Sequence, residues 1–241
     1  MANINTGQSS RGYHRLAYFQ ECPQKYSYAY NLQLKQKFTN PNMGLGTLVH
    51  EGLAYRYLGS EKSPFEHVEE YARENDLLSV LTKANEILKE YDLRWTNNED
   101  FVPADVEKEF QLDINGELYT QRVDLVANIN EEICFVDHKT YGRFKSKWEM
   151  AGQFIGLMVL GRSLVSDMYK LPFGGVWVNE ICTMNPIAAR SFSRRKVEIP
   201  QGLMDAYIHN VGFTYSEMQK LISSDHWMYP KNFSACESKY S

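Results

Sequence analysis

The stretch Tyr119–Tyr141, YTQRVDLVANINEEICFVDHKTY, governs how the rest of the chain is read. Two runs rich in Val, Ile, Leu and Phe flank a polar corner at Asn130–Glu132, which is the pattern of a β-hairpin. The second run closes on Asp137-His138-Lys139. In a strand, side chains two residues apart share a face and stand roughly 6.6 Å apart at ~3.3 Å rise per residue. Asp137 and Lys139 are therefore expected to project together, with His138 pointing away. A carboxylate and an ammonium at the open end of an apolar strand are costly to bury without a partner or a purpose. Asp124, on the neighbouring strand, supplies a second carboxylate for the same place. Two carboxylates and a lysine suit a hard divalent cation that binds phosphate oxygens and activates water.

The bulk numbers set the frame for that hairpin. With 241 residues, 43% hydrophobic and 23% charged, the chain has the make-up of a globular protein with a sizeable core. The formal net charge is -4, so a nucleic acid would have to be met by a local basic patch. The longest apolar run, Phe154–Gly161, is far short of the ~20 residues that span a bilayer. The opening MANINTGQSS lacks the apolar segment of a secretory signal. Cys22, Cys134, Cys182 and Cys236 show no Cys-x-x-Cys spacing, and reduced thiols in a cytoplasmic protein are the expectation.

Residues 1–10 read as a mobile tail, followed by two short helices from Tyr13 to about Leu34, broken at Cys22-Pro23. This segment is crowded with aromatics, either packed in the core or lining a channel where bases stack, with Tyr26 the candidate contact. A loop is expected at 38–43 and a helix over 44–59 with His50, Leu53, Ala54 and Tyr57 on one face. Two scaffold helices follow, at about 64–75 and 77–96. Residues 104–114 alternate as a strand, with Val106, Phe110, Leu112 and Ile114 on one side and Glu107 and Glu109 on the other. After the hairpin, Arg143, Lys145 and Lys147 are close enough together to guide a polyanion. A long helix over 148–169 carries Gln153 at the start of its apolar stripe. Strands at 173–182 and 190–199 follow, the second bearing Arg194, Arg195 and Lys196, and then a helix over about 202–223. The sum is a single domain of α/β or α+β class, a mixed β-sheet flanked by helices with a helical N-terminal portion.

Four local signatures in this order resemble the RecB-like branch of the PD-(D/E)XK nuclease superfamily, close to its CRISPR-associated and bacteriophage exonucleases, over about residues 13–236. RLAYFQECPQKYSYAY resembles the Leu-x-x-Phe-x-x-Cys-Pro-x-x-Tyr opening. GTLVH matches Gly-x-x-x-His at Gly46 and His50. Asp124 and Asp137-His138-Lys139-Thr140 match the aspartate and the (D/E)-x-K motif. QFIGL matches the Gln-x-x-x-Tyr helix at Gln153, with Leu157 standing where the family has tyrosine.

The resemblance implies a restriction-endonuclease-like fold and a Mg²⁺- or Mn²⁺-dependent DNA exonuclease working at ends or on single strands. A structure-specific endonuclease and an inactive nucleic-acid-binding module are the alternatives. It implies Asp124, Asp137, the His138 carbonyl and His50 as metal ligands, the imidazole favouring tolerance of Mn²⁺. Lys139 would position or deprotonate the attacking water, and Gln153 would contact DNA or orient that water. Glu107 or Glu109 would stand behind the ligands, strand parity leaving the choice open. Arg143, Lys145, Lys147, Arg194, Arg195 and Tyr26 are the candidate DNA contacts, and a protein partner in recombination or repair and a bacteriophage origin also follow from the resemblance. Many relatives hold an iron–sulfur cluster through four cysteines. Here only Cys22 and Cys236 are suitably placed, so no cluster is expected, although the ending ACESKYS resembles a cluster segment cut short. Cys134 and Cys182 read as buried packing residues.

Overall fold

The computed structural model describes residues 6, 9, 11–34, 41–142, 148–222, 225 and 228–234. Helices α1 (Tyr13–Glu21) and α2 (Pro23–Tyr26), extended by a π-helical turn at Ser27–Asn31, precede α3 (Pro41–Leu58), α4 (Pro64–Glu74) and α5 (Leu78–Trp95). Strands β1 (Val102–Ile114), β2 (Glu117–Ile129) and β3 (Glu132–Tyr141) follow, then α6 (Gly152–Tyr169), β4 (Phe173–Cys182), β5 (Phe192–Val197) and α7 (Gln201–Leu221). The expected loop at 38–43 is helical from Pro41, because proline suits a first helical turn. Residues 148–151 stand outside α6, which begins at Gly152.

The five strands lie in the order β1-β2-β3-β4-β5, antiparallel throughout except for β3 against β4. The parallel pair needs a crossover, and α6 supplies it. This is the mixed sheet flanked by helices expected of the chain. The β2–β3 corner works because Asn130 and Glu131 both adopt positive φ, at 52° and 66°, as a tight hairpin turn requires. Among the described residues, no helix is long and apolar enough to cross a membrane.

Two cores cover the two faces of the sheet. Phe110, Tyr119, Val123 and Phe135 pack under α1, α6 and α7 with Phe154, Leu157 and Leu160. Leu125, Val136 and Ile181 pack against α3 and α5 through Leu48, Leu53, Ile87 and Tyr91. Val106, expected beside Phe110, instead joins the α3–α5 side. The reason is Glu107, whose φ of 51° is left-handed and reverses the side to which the strand presents its residues. The same reversal falls in β2 between Val123 and Leu125, on either side of Asp124. The pairs Val106–Leu125 and Lys108–Val123 bracket Glu107 and Asp124, so the two carboxylates sit across from each other at the break.

Candidate active site

β3 brings the two sides of the site together. Its alternation sends Asp137 and Lys139 toward α6, where Lys139 Nζ lies 2.6 Å from Asp137 Oδ1 and donates to Gln153 Oε1 at 2.9 Å. Gln153 Nε2 donates to Asp137 Oδ2 at 2.5 Å, so one amide at the start of α6 grips both charged groups. Gln121 Nε2 donates to the Gln153 carbonyl at 2.9 Å, tying that helix start back to β2. His138 points the other way, stacked on Tyr57 of α3 and accepting from Asn179 Nδ2 at Nδ1 (2.8 Å). Burial holds the His138 imidazole well below its usual pKa, so the ring stays neutral.

The backbone of His138 is equally committed. Its N–H donates to Asp124 Oδ2 at 2.7 Å, and its carbonyl lies 2.6 Å from His50 Nε2. A carbonyl only accepts, so the proton of this contact belongs to His50 Nε2. In the neutral ring Nδ1 then keeps its lone pair, 3.6 Å from Asp124 Oδ2. α3 reaches this close to β3 because residue 46 is glycine: a Cβ there would lie 2.9 Å from Thr140 Oγ1.

One ligand atom from each of His50, Glu107 and Asp124 falls within 4.8 Å of the others. The group differs from the expected set in two ways. Both oxygens of Asp137 are engaged by Lys139 and Gln153, and the His138 carbonyl faces His50. Glu107, left undecided against Glu109, takes the third position, while Glu109 pairs with Arg122 (3.4 Å). Burial, and then the neighbouring Asp124 carboxylate, push the Glu107 carboxyl up to about 9. Burial also raises Asp124, with Asp137 adding to it and His50 opposing. Two carboxylates that resist ionising together, beside an imidazole lone pair, form a donor set that a divalent cation fits, since its charge relieves that repulsion.

The expected DNA contacts fare differently. The Arg194 side chain is 2% exposed and lies between Trp95 and Phe101, ion-paired with Glu99 (2.6 Å) and Asp100 (2.5 Å), so it cannot rim the cleft. Arg195, next along β5 and on the other face, pairs with Glu149 (3.3 Å) and Glu180 (3.5 Å). Tyr26 is buried, stacked on Tyr30 and accepting from Arg15 (2.7 Å), so it offers no stacking platform. Arg143, Lys145, Lys147 and Cys236 lie outside the described residues. Cys22 and Cys134 are buried, but Cys182, expected to be packed in, is half-exposed at the end of β4 and donates to the Gly142 carbonyl. Within the expected mobile tail, Thr6 donates to Glu51 and lines the cleft with Ser9. His14 and Tyr13 of α1, which the sequence reading did not single out for the site, also line it, together with Lys139 and Gln153.

A model of the PD-(D/E)XK nuclease superfamily matches residues 13–159, more than half of the chain. The chain belongs to that superfamily. Its fold is similar to the crystal structure of a candidate exonuclease from Eubacterium rectale, at 11% identity and a TM-score of 0.57, covering 83% of this chain and 74% of that one. The crystal structure of SSO0001 shares 14% identity over 85% of this chain and 88% of that one, with a TM-score of 0.34 too low to carry an argument. No curated protein matches the chain.

Proposed function

We propose that the protein is a divalent-metal-dependent DNA exonuclease of the RecB-like branch, acting at ends or on single strands. The observation that carries this reading is one cleft in which the His50–Glu107–Asp124 group adjoins the Lys139–Asp137–Gln153 cluster. His50, Asp124 and Glu107 are the residues to hold Mg²⁺ or Mn²⁺, with Asp137 as a further carboxylate and the imidazole favouring Mn²⁺. The ion supplies positive charge at the phosphate and polarises water. Lys139 has three N–H donors, of which one goes to Gln153 and one faces Asp137, leaving a third for the attacking water or a phosphate oxygen. Gln153 fixes the direction of that ammonium. The likeness to a candidate exonuclease and the RecB-like signatures support end-directed action, and the same signatures carry the proposal of an intracellular, phage-encoded enzyme with a partner in recombination or repair.

The test is a nuclease assay on end-labelled linear DNA, single- and double-stranded, with Mn²⁺, Mg²⁺ or EDTA, beside Lys139→Ala. Linear DNA should be degraded with metal and not with EDTA, and the variant should lose at least about a hundredfold in rate. Equal activity in the variant would remove Lys139 from the mechanism. Cleavage of a circular single strand would replace the exonuclease reading with the endonuclease one.

A further inference from the structure

His14 is a titratable side chain of the cleft that none of the motifs accounts for. It lines the cleft with Lys139, Asp124, His50 and Gln153, yet it stands on α1, far from them in sequence. The residues leading into α1 are fixed against the site strand β2. Arg11 N donates to Thr120 Oγ1 (3.3 Å), Thr120 N donates to the Arg11 carbonyl (3.3 Å), and a Cβ on Gly12 would meet the Thr120 carbonyl at 2.3 Å. Tyr13 closes the other side against Gly152, at the start of α6. The imidazole is thus held over the cleft by backbone contacts to β2 and by packing on α6.

On the cleft floor Lys139 is engaged with Asp137 and Gln153, and His50 with His138 and Asp124. The His14 ring has an edge-on contact with Tyr13 and, among the described residues, no hydrogen-bond partner. Burial, and then the positive field of Lys139, lower its pKa, so at neutral pH it is an uncharged ring with one N–H to donate.

We propose that His14 is a substrate-positioning residue, its ring N–H donating to a phosphate oxygen of the nucleic-acid strand as that strand passes Lys139. The inference rests on the nuclease reading and adds a phosphate contact from the N-terminal helix to a site otherwise built by the sheet, α3 and α6. A neutral donor to a charged oxygen contributes to holding the strand in the ground state and the transition state alike, so its loss falls on KM and not on kcat.

The experiment compares wild type, His14→Ala and His14→Asn by steady-state cleavage of a linear oligonucleotide with Mn²⁺. It also measures binding of the same fluorescein-labelled oligonucleotide by anisotropy with Ca²⁺ in place of Mn²⁺, and each variant's melting midpoint. His14→Ala should raise KM and Kd about tenfold, with kcat within about twofold, as expected for one hydrogen bond to a charged group. His14→Asn, which keeps a neutral donor, should recover most of the loss. Unchanged KM and Kd in a folded His14→Ala protein would overturn the proposal, as would a fall in kcat alone. A Kd loss that His14→Asn does not recover, or a collapsed melting midpoint in both variants, would assign His14 to packing and likewise overturn it. Absence of metal-dependent cleavage in the wild type would instead strike the nuclease reading, while the anisotropy measurement still reports on His14.

Discussion

At Glu107 a left-handed backbone and a carboxyl pushed up to about 9 coincide, directly across from Asp124. A non-glycine residue held there costs on the order of 1–3 kcal/mol and persists only where its surroundings impose it, as they do at functional sites. Glu107→Gln keeps the shape and removes the cost of protonating that carboxyl on folding at neutral pH. Without divalent cations the variant should therefore melt at a higher temperature than wild type, while calorimetric titration should show Mn²⁺ binding weakened by at least about tenfold. Mn²⁺ affinity equal to wild type would take Glu107 out of the ligand set. The hairpin made the Asp137–Lys139 pair legible, since the two-residue period of a strand is local. Glu107 and Glu109 share strand parity, and choosing between them required knowing that Glu109 meets Arg122 and that the strand reverses at Glu107.

Among the elements, α6 does the most to assemble the site, because it both crosses over from β3 to β4 and presents Gln153. It lies close to the sheet at Gly156, where a Cβ would come within 2.2 Å of Tyr119 Oη and 2.6 Å of Gln121 Oε1. These two groups are hydrogen-bonded to each other (2.7 Å), and Gln121 also holds the Gln153 carbonyl (2.9 Å). Gly156→Ala should cost about 1–3 kcal/mol, read as a lowered urea midpoint with unchanged slope. A midpoint equal to wild type would show that α6 has room to move away from the sheet. β5 illustrates the opposite outcome for a sequence reading. Its Arg194-Arg195-Lys196 run looked like a basic patch, but a strand presents consecutive residues to opposite sides. Arg194 enters the core to meet Glu99, Tyr57 and Tyr91, and Arg195 pairs with Glu149 and Glu180 on the other face.

Across the whole molecule, the sheet divides two cores, and Cys134 lies in the one beneath α3 and α5. Burial pushes its thiol from 9.0 up to about 11. Between those values the unfolded chain loses its thiol proton while the folded protein keeps it. The stability this group contributes is complete below about pH 9.0 and is lost as pH rises toward about 11. Chemical denaturation across that range should fall more steeply for wild type than for Cys134→Ala, by up to about 1.4 kcal/mol per pH unit. Identical slopes would show that the thiol titrates normally. The sequence by itself determined the hairpin, the order of helices and strands, and the pairing of Asp137 with Lys139. These follow from turn residues, helix starts such as Ser63-Pro64 and the alternation of a strand, all interactions within a few residues. Only the tertiary structure decided that Glu107 joins Asp124 and His50, that Arg194 and Tyr26 are buried, and that His14 overlooks the cleft. Each of these depends on which side of the sheet a residue occupies once a strand has reversed, or on segments about a hundred residues apart meeting through backbone contacts, and neither leaves a periodic mark along the chain.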